Sequence, residues 1–95
     1  MPNFQCGRLV ATPAALSAIE GSGDNLLLFL RRHLSGDWGD LGADDKRMND
    51  AALKDGSRLL SRYDLKDGKP IYIITEAEGD NGNRESTCVL LREEY

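Results

Sequence analysis

His33, Glu76, Arg58 and Arg62 are the residue types that metal-free cleavage of RNA requires. Such cleavage takes a general base for the 2′-hydroxyl, a general acid for the leaving oxygen and a cation for the charge that develops on phosphorus. His33, the only histidine in the chain, suits either proton-transfer role, Glu76 is its natural counterpart, and Arg58 or Arg62 suits the phosphate clamp. Each also has a structural use. A histidine on the apolar face of a helix can sit in the core with its nitrogens on backbone carbonyls, and a strand glutamate or arginine can form a solvated face.

A second cluster follows His33 directly in Ser35-Gly36-Asp37-Trp38-Gly39-Asp40-Leu41, where an apolar helix stops on a glycine and opens into an acidic loop holding the only tryptophan. Helix ends fix geometry while the following loop gives access, and Trp is enriched in interface hot spots. Asp37, Trp38 and Asp40 are therefore binding candidates. The alternative is that Trp38 folds back as a lid on the core, with Asp37 and Asp40 making Asx turns and Gly39 a tight backbone.

A metal site finds no support in the pattern. Asp37, Asp40, Asp44 and Asp45 lack the ligand order of an EF-hand loop, and two cysteines with one histidine cannot complete a tetrahedral Cys/His zinc site. No cofactor is implied. Cys6 and Cys88, far apart and each in a β-type run, are expected as buried free thiols of a reducing compartment.

The 95 residues fit one domain, 1–95, with 40% hydrophobic and 29% charged residues, an ordinary globular composition. The net charge is −4, and residues 37–56 hold six aspartates against Lys46, Arg47 and Lys54. That balance argues against nucleic acid as the general partner, because non-specific binding needs a basic surface that displaces counterions. Leu26 to Leu30, the longest apolar run, is far short of the roughly 20 residues that cross a bilayer. The opening Met1-Pro2-Asn3-Phe4-Gln5-Cys6 has none of the marks of a secretory signal, which makes the cytoplasm the expected compartment.

The elements that must position these residues can be placed by pattern. Residues 7–11, centred on Leu9-Val10, make a short first strand. Thr12-Pro13 caps and opens a helix over 13–20, Asp24 caps a second over 25–35, and Asp44-Asp45 cap a third over 45–55 that ends on Gly56. In the second helix Leu26, Phe29, Leu30, His33 and Leu34 share one face, so His33 travels with the core side. Residues 58–65, 70–77 and 86–91 are β-rich, with an Asp67-Gly68 hairpin signal, and Pro70 belongs at the first position of its strand. Period two puts Leu59, Ser61 and Tyr63 on one side of the first of these strands, and Ile71, Ile73 and Thr75 opposite Tyr72, Ile74 and Glu76 in the next. The face without helices is thus expected to present apolar and aromatic groups, making Tyr63 and Tyr72 further binding candidates. The expected fold class is α+β, N-terminal helices packed on a three- to four-stranded antiparallel β-meander.

Leu30-Arg31-Arg32-His33-Leu34 and the Ser-Gly-Asp-Trp-Gly-Asp core, followed by Asn49, Ala52-Leu53, Gly56-Ser57-Arg58, Ser61-Arg62-Tyr63, Ile73-Ile74-Thr75-Glu76-Ala77 and Leu90-Leu91-Arg92-Glu93-Glu94-Tyr95, resemble a family of small uncharacterised proteins borne on bacterial plasmids and prophages, often labelled plasmid-related. The likeness covers residues 24–95 and departs at Glu78 to Arg84, a longer connection, and at Arg92, where the family tends to carry proline. It implies a mobile-element setting and brings no activity with it. The favoured expectation is a non-enzymatic accessory or protein-interaction module whose partner is a protein encoded by the host or the mobile element. The alternative, by analogy of topology alone, is a metal-free ribonuclease of the microbial ribonuclease or RelE-like toxin type.

Overall fold

A computed structural model describes residues 3–95. The chain runs β1 (Arg8–Ala11), α1 (Pro13–Ser22), α2 (Leu26–Leu34), α3 (Ala43–Asp55), β2 (Leu59–Asp64), β3 (Pro70–Thr75), β4 (Ser86–Leu91) and a 3₁₀ turn, Arg92–Glu94.

Thr12 caps α1 as expected, its hydroxyl accepting from the Ala15 amide at 3.1 Å beside Pro13. The helix runs through Gly21 and Ser22, past the expected stop, because Gly23 at φ 78° supplies the left-handed C-cap. Asn25, not Asp24, caps α2, its side chain accepting from the Leu27 amide at 2.9 Å. Asp24 instead accepts from Ser22 Oγ and from the Lys66 amide, which ties the α1–α2 turn to the β2–β3 hairpin. Helix α3 starts earlier than expected: Gly42 occupies the N-cap without a side-chain bond, and Asp44 and Asp45 lie in the first turn, where they meet the helix dipole.

The four strands form one sheet in the order β1-β4-β3-β2. The α+β class holds, and β2-β3 and β3-β4 are antiparallel, but β1 lies parallel to β4, so the sheet is mixed rather than a pure meander. Hairpin turns fix the direction of β3 and β4, whereas β1 comes from the far end of the chain. Its direction is set by Cys6, whose carbonyl accepts from Thr87 Oγ1, and by α1, which packs on β4. One face of the sheet carries Tyr63, Ile71, Ile73, Val89 and Leu91 against Ala15, Ile19, Phe29 and Leu30 of α1 and α2, with the Phe29 and Tyr63 rings stacked at 5.0 Å. A smaller cluster of Trp38, Ala52 and Leu59 seats α3 beside β2.

The outer edge of β2 is closed residue by residue. The outward groups of Leu60 meet the Asn49 side chain, which donates to its carbonyl at 2.6 Å and accepts from its amide at 3.1 Å. The Arg62 amide donates to the Trp38 carbonyl and its own carbonyl accepts from the Asp40 amide, so Trp38-Gly39-Asp40 runs along β2 like a strand. The Asp64 amide donates to Asp40 Oδ2 at 2.9 Å. Gly39, at φ 77°, is required here, because a Cβ would run into the Arg62 carbonyl and the Tyr63 ring.

Asn49→Ala removes both side-chain bonds to Leu60 and leaves that edge to water at a site 5% exposed. It is expected to lower the unfolding free energy by about 2 kcal/mol in urea titration. An unchanged midpoint would show that the amide is not what closes the edge.

Candidate functional site

Phe29, Leu30 and His33 form the buried stripe of α2, which drives the imidazole onto the interior face of the sheet. There His33, at 0% exposure, meets hydroxyls from two strands, and a third strand joins through them. Nδ1 lies 2.6 Å from Ser61 Oγ of β2, Nε2 lies 2.9 Å from Thr75 Oγ1 of β3, and Thr75 Oγ1 lies 2.7 Å from Thr87 Oγ1 of β4. The Thr87 hydroxyl donates to the Cys6 carbonyl at 2.8 Å. That last bond sets the direction of the rest. Thr87 has spent its proton, so Thr75 donates to Thr87 and accepts from Nε2–H, leaving Nδ1 to accept from Ser61. The imidazole is neutral, protonated on Nε2.

Two aromatic rings flank the imidazole, Phe4 edge-on at 5.2 Å and Trp38 at 5.8 Å, and they stack on each other at 6.3 Å. Arg84, 6% exposed, lies beyond Phe4 and donates to the carbonyls of Ser57, Glu76 and Ala52 at 2.7, 3.0 and 3.1 Å. The Ala52 carbonyl lies in the last turn of α3, where a cation also meets the negative end of the dipole. No carboxylate among the described residues lies within ion-pairing distance of Arg84. Burial, then the Arg84 charge, pulls the His33 pKa down to about 4.

Arg58, Arg62 and Glu76 do not join His33. Arg58 donates to the Tyr95 hydroxyl at 2.6 Å, Arg62 pairs with Asp64 at 3.0 Å, and the Glu76 side chain is exposed past the end of β3. The two arginines follow the alternation of Leu60, on the sheet face away from the helices, while His33 lies on the other. Ser61 and His33 have the contact of a nucleophile and its base, but Ser61 is also at 0% exposure, so no substrate reaches the pair. The imidazole is held by side-chain hydroxyls, not by the backbone carbonyls expected of a core histidine.

The loop candidates are also structural. Trp38, at 3% exposure, is not at a loop tip: its ring packs on Ala52 and Leu59 while Nε1 donates to Asp50 at 2.9 Å. Asp37 accepts from the Gly39 amide as an Asx turn and pairs with Arg32 at 2.8 Å, and that Arg32 bond is the main reason its carboxyl titrates below the usual range. Tyr63 is at 0% exposure, donates to the Asp37 carbonyl and is pushed up to about 12 by burial. Both free cysteines are half-buried, and among the described residues no group of three or more His, Cys, Asp or Glu could hold a metal ion.

What remains accessible is the sheet face without helices. Register aligns Val10, Cys88, Ile74 and Leu60 in one row and Leu90, Tyr72 and Arg62 in the next. Tyr95 packs edge-on against Tyr72 at 5.5 Å and is held by Arg58, so two expected site residues meet through the last residue of the chain. Between this face and α3 runs a groove of about 450 Å³ with Leu41, Met48, Leu60 and Tyr72 in its wall and Asp45, Asp55 and Arg58 also lining it. Sequence reasoning passed over Arg84, Asn49 and Thr87. The two inward threonines were the available signal, since hydroxyls on an apolar strand face demand a buried partner.

No helix among the described residues is long and apolar enough to cross a membrane. Comparison with known proteins finds no matching family model, curated protein or solved structure.

The His33 pKa carries a stability signature. Because it falls from 6.5 unfolded to about 4 folded, the unfolded chain takes up a proton in that interval that the folded chain refuses. The contribution is therefore complete above pH 6.5 and is lost as pH falls toward 4, by about 3 kcal/mol in all. Imidazole NMR should show the single histidine as an Nε2–H tautomer that does not titrate between pH 5 and 8, roughly the range where a free imidazole does. A midpoint near 6.5 would place the ring in water.

Proposed function

We propose that this protein is a non-enzymatic interaction module that receives a partner protein in the groove between α3 and the open face of the sheet. One observation carries the reading: Leu60 and Tyr72 stay half-exposed beside Met48, which is 69% exposed, while His33, the residue suited to proton transfer, is spent on the interior. Exposed apolar surface with a charged rim is the usual anatomy of a protein-binding patch. Asp45 and Asp55 on the α3 side and Arg58 on the sheet side favour a segment with apolar anchors, a basic group toward the helix and an acidic group toward Arg58. The resemblance to plasmid- and prophage-borne proteins supplies the setting, in which the partner is encoded by the host or by the element.

The ribonuclease alternative requires His33, Glu76, Arg58 and Arg62 around one phosphate, and neither the burial of His33 nor its lowered pKa favours it. Structured RNA incubated with the protein and EDTA near neutral pH is expected to stay intact.

The interaction reading is tested by a photo-crosslinking amino acid at Met48, with Tyr72→Asp as the control, in cells carrying the protein. One protein species should be captured repeatedly and lost, by about tenfold or more, in the folded control. Capture that is unchanged by Tyr72→Asp would move the contact off the groove.

A further inference from the structure

The two edges of the sheet are treated in opposite ways. That of β2 is closed at Leu60, Arg62 and Asp64, whereas β1 is open. Arg8 and Thr12 donate their amides to Glu85 and Val89 alongside β4, so alternation turns the N–H and C=O of Leu9 and Ala11 outward. No described residue pairs with these four groups. The strand is also apolar at its centre, with Leu9 44% and Val10 38% exposed, and α1 stands on β4 rather than over this edge. An unprotected apolar edge is a template for another strand.

We infer that β1 pairs antiparallel with β1 of a second copy of this chain, about a two-fold axis at Val10. That register is the one in which outward groups meet. Leu9 faces Ala11 of the second copy, Ala11 faces its Leu9, and the two reciprocal pairs use all four free groups on each copy. The Val10 side chains then meet across the axis at a non-hydrogen-bonded position. The same register sets Arg8 opposite Thr12 of the second copy, whose hydroxyl donates to Glu94 Oε1 at 2.7 Å. Among the described residues Arg8 makes no side-chain hydrogen bond or ion pair, and Glu94 uses only Oε1, for Thr12 and the Leu91 amide. Each copy thus offers a cation where the other offers a carboxylate, twice per dimer, in a chain whose net charge of −4 would otherwise oppose self-association.

The product is a continuous eight-strand sheet whose outer-face row Leu60, Ile74, Cys88, Val10 continues into the second copy, an arrangement that follows from the order β1-β4-β3-β2. One short strand per copy buries less than the roughly 1,200 Å² of a stable interface, so the dimer forms in a concentration-dependent way, on the order of tens of micromolar.

Sedimentation of the full chain should show a monomer–dimer equilibrium, weakened about tenfold by Arg8→Glu, which places like charges at Arg8 and Glu94. In a Cys6→Ser, Cys88→Ser background, Val10→Cys should form a disulfide dimer under mild oxidation, because the two-fold brings its own copies together, while Leu9→Cys, which faces Ala11, should not. A monomer up to about 0.5 mM overturns the inference at the concentrations a short-strand interface needs. So does a dimer that ignores Arg8→Glu or crosslinks Leu9→Cys as readily as Val10→Cys. The readouts use the chain alone, so their outcome is independent of any partner in the groove.

Discussion

The structure depends on a neutral imidazole in its interior. His33 touches β2 and β3 through one ring, and Thr75 carries the contact on to β4. Each hydroxyl in the chain has one proton to give, so the Cys6 carbonyl at its end orders every bond back to Ser61. Shifting β3 by one residue would set Ile74 or Glu76 where Thr75 must accept, stranding Nε2–H in a dry core. The apolar neighbours accept many arrangements, and the polar chain accepts one. It therefore holds α2 and three strands in a common register, and it also draws in the N-terminal segment that delivers β1 parallel to β4.

Burial keeps that imidazole neutral, and Arg84 adds to the effect. Its guanidinium is buried over Phe4 and spends its donors on carbonyls, so its positive charge is spread over dipoles without being cancelled by a carboxylate. A second cation nearby would be unfavourable in a medium of low dielectric. Phe4 lies near both groups, and Trp38, stacked on Phe4, packs against the imidazole beside it. The same tryptophan offers its carbonyl to Arg62, so the packing around His33 and the closure of the β2 edge are one construction.

Much of this architecture is legible in the chain. Thr12-Pro13, Gly56, Asp67-Gly68 and Pro70 each mark a boundary through a local backbone requirement, and the α2 stripe places His33 inward. Period two also puts Ser61 and Thr75 on the faces where they are found. What local pattern does not carry is pairing between distant segments. The direction of β1 depends on a contact between Cys6 and Thr87, and the cap of α2 passes to Asn25 because Lys66, far along the chain, claims Asp24. Trp38 and His33 stand out by rarity, yet rarity does not distinguish a site from a core. The distinction comes from partners such as Asp50 and Thr75, which only the folded chain brings near.

The use of the rare residues inside determines where recognition can occur. A histidine that must remain neutral, a tryptophan that closes an edge and an arginine held by carbonyls cannot also turn toward a ligand without opening the core they hold. The exposed chemistry is left to common residues in unusual positions: Met48 and Tyr72 beside a groove, and Leu9 and Val10 on an unpaired strand. Both positions follow from the sealing of β2. Asn49 and the Trp38 loop fasten α3 against that edge, forming one wall of the groove, and the edge left open is the opposite one, a full sheet width away. The proposed surfaces for recognition and for self-pairing therefore lie apart on one sheet, and a contact at either would leave the polar chain beneath it undisturbed.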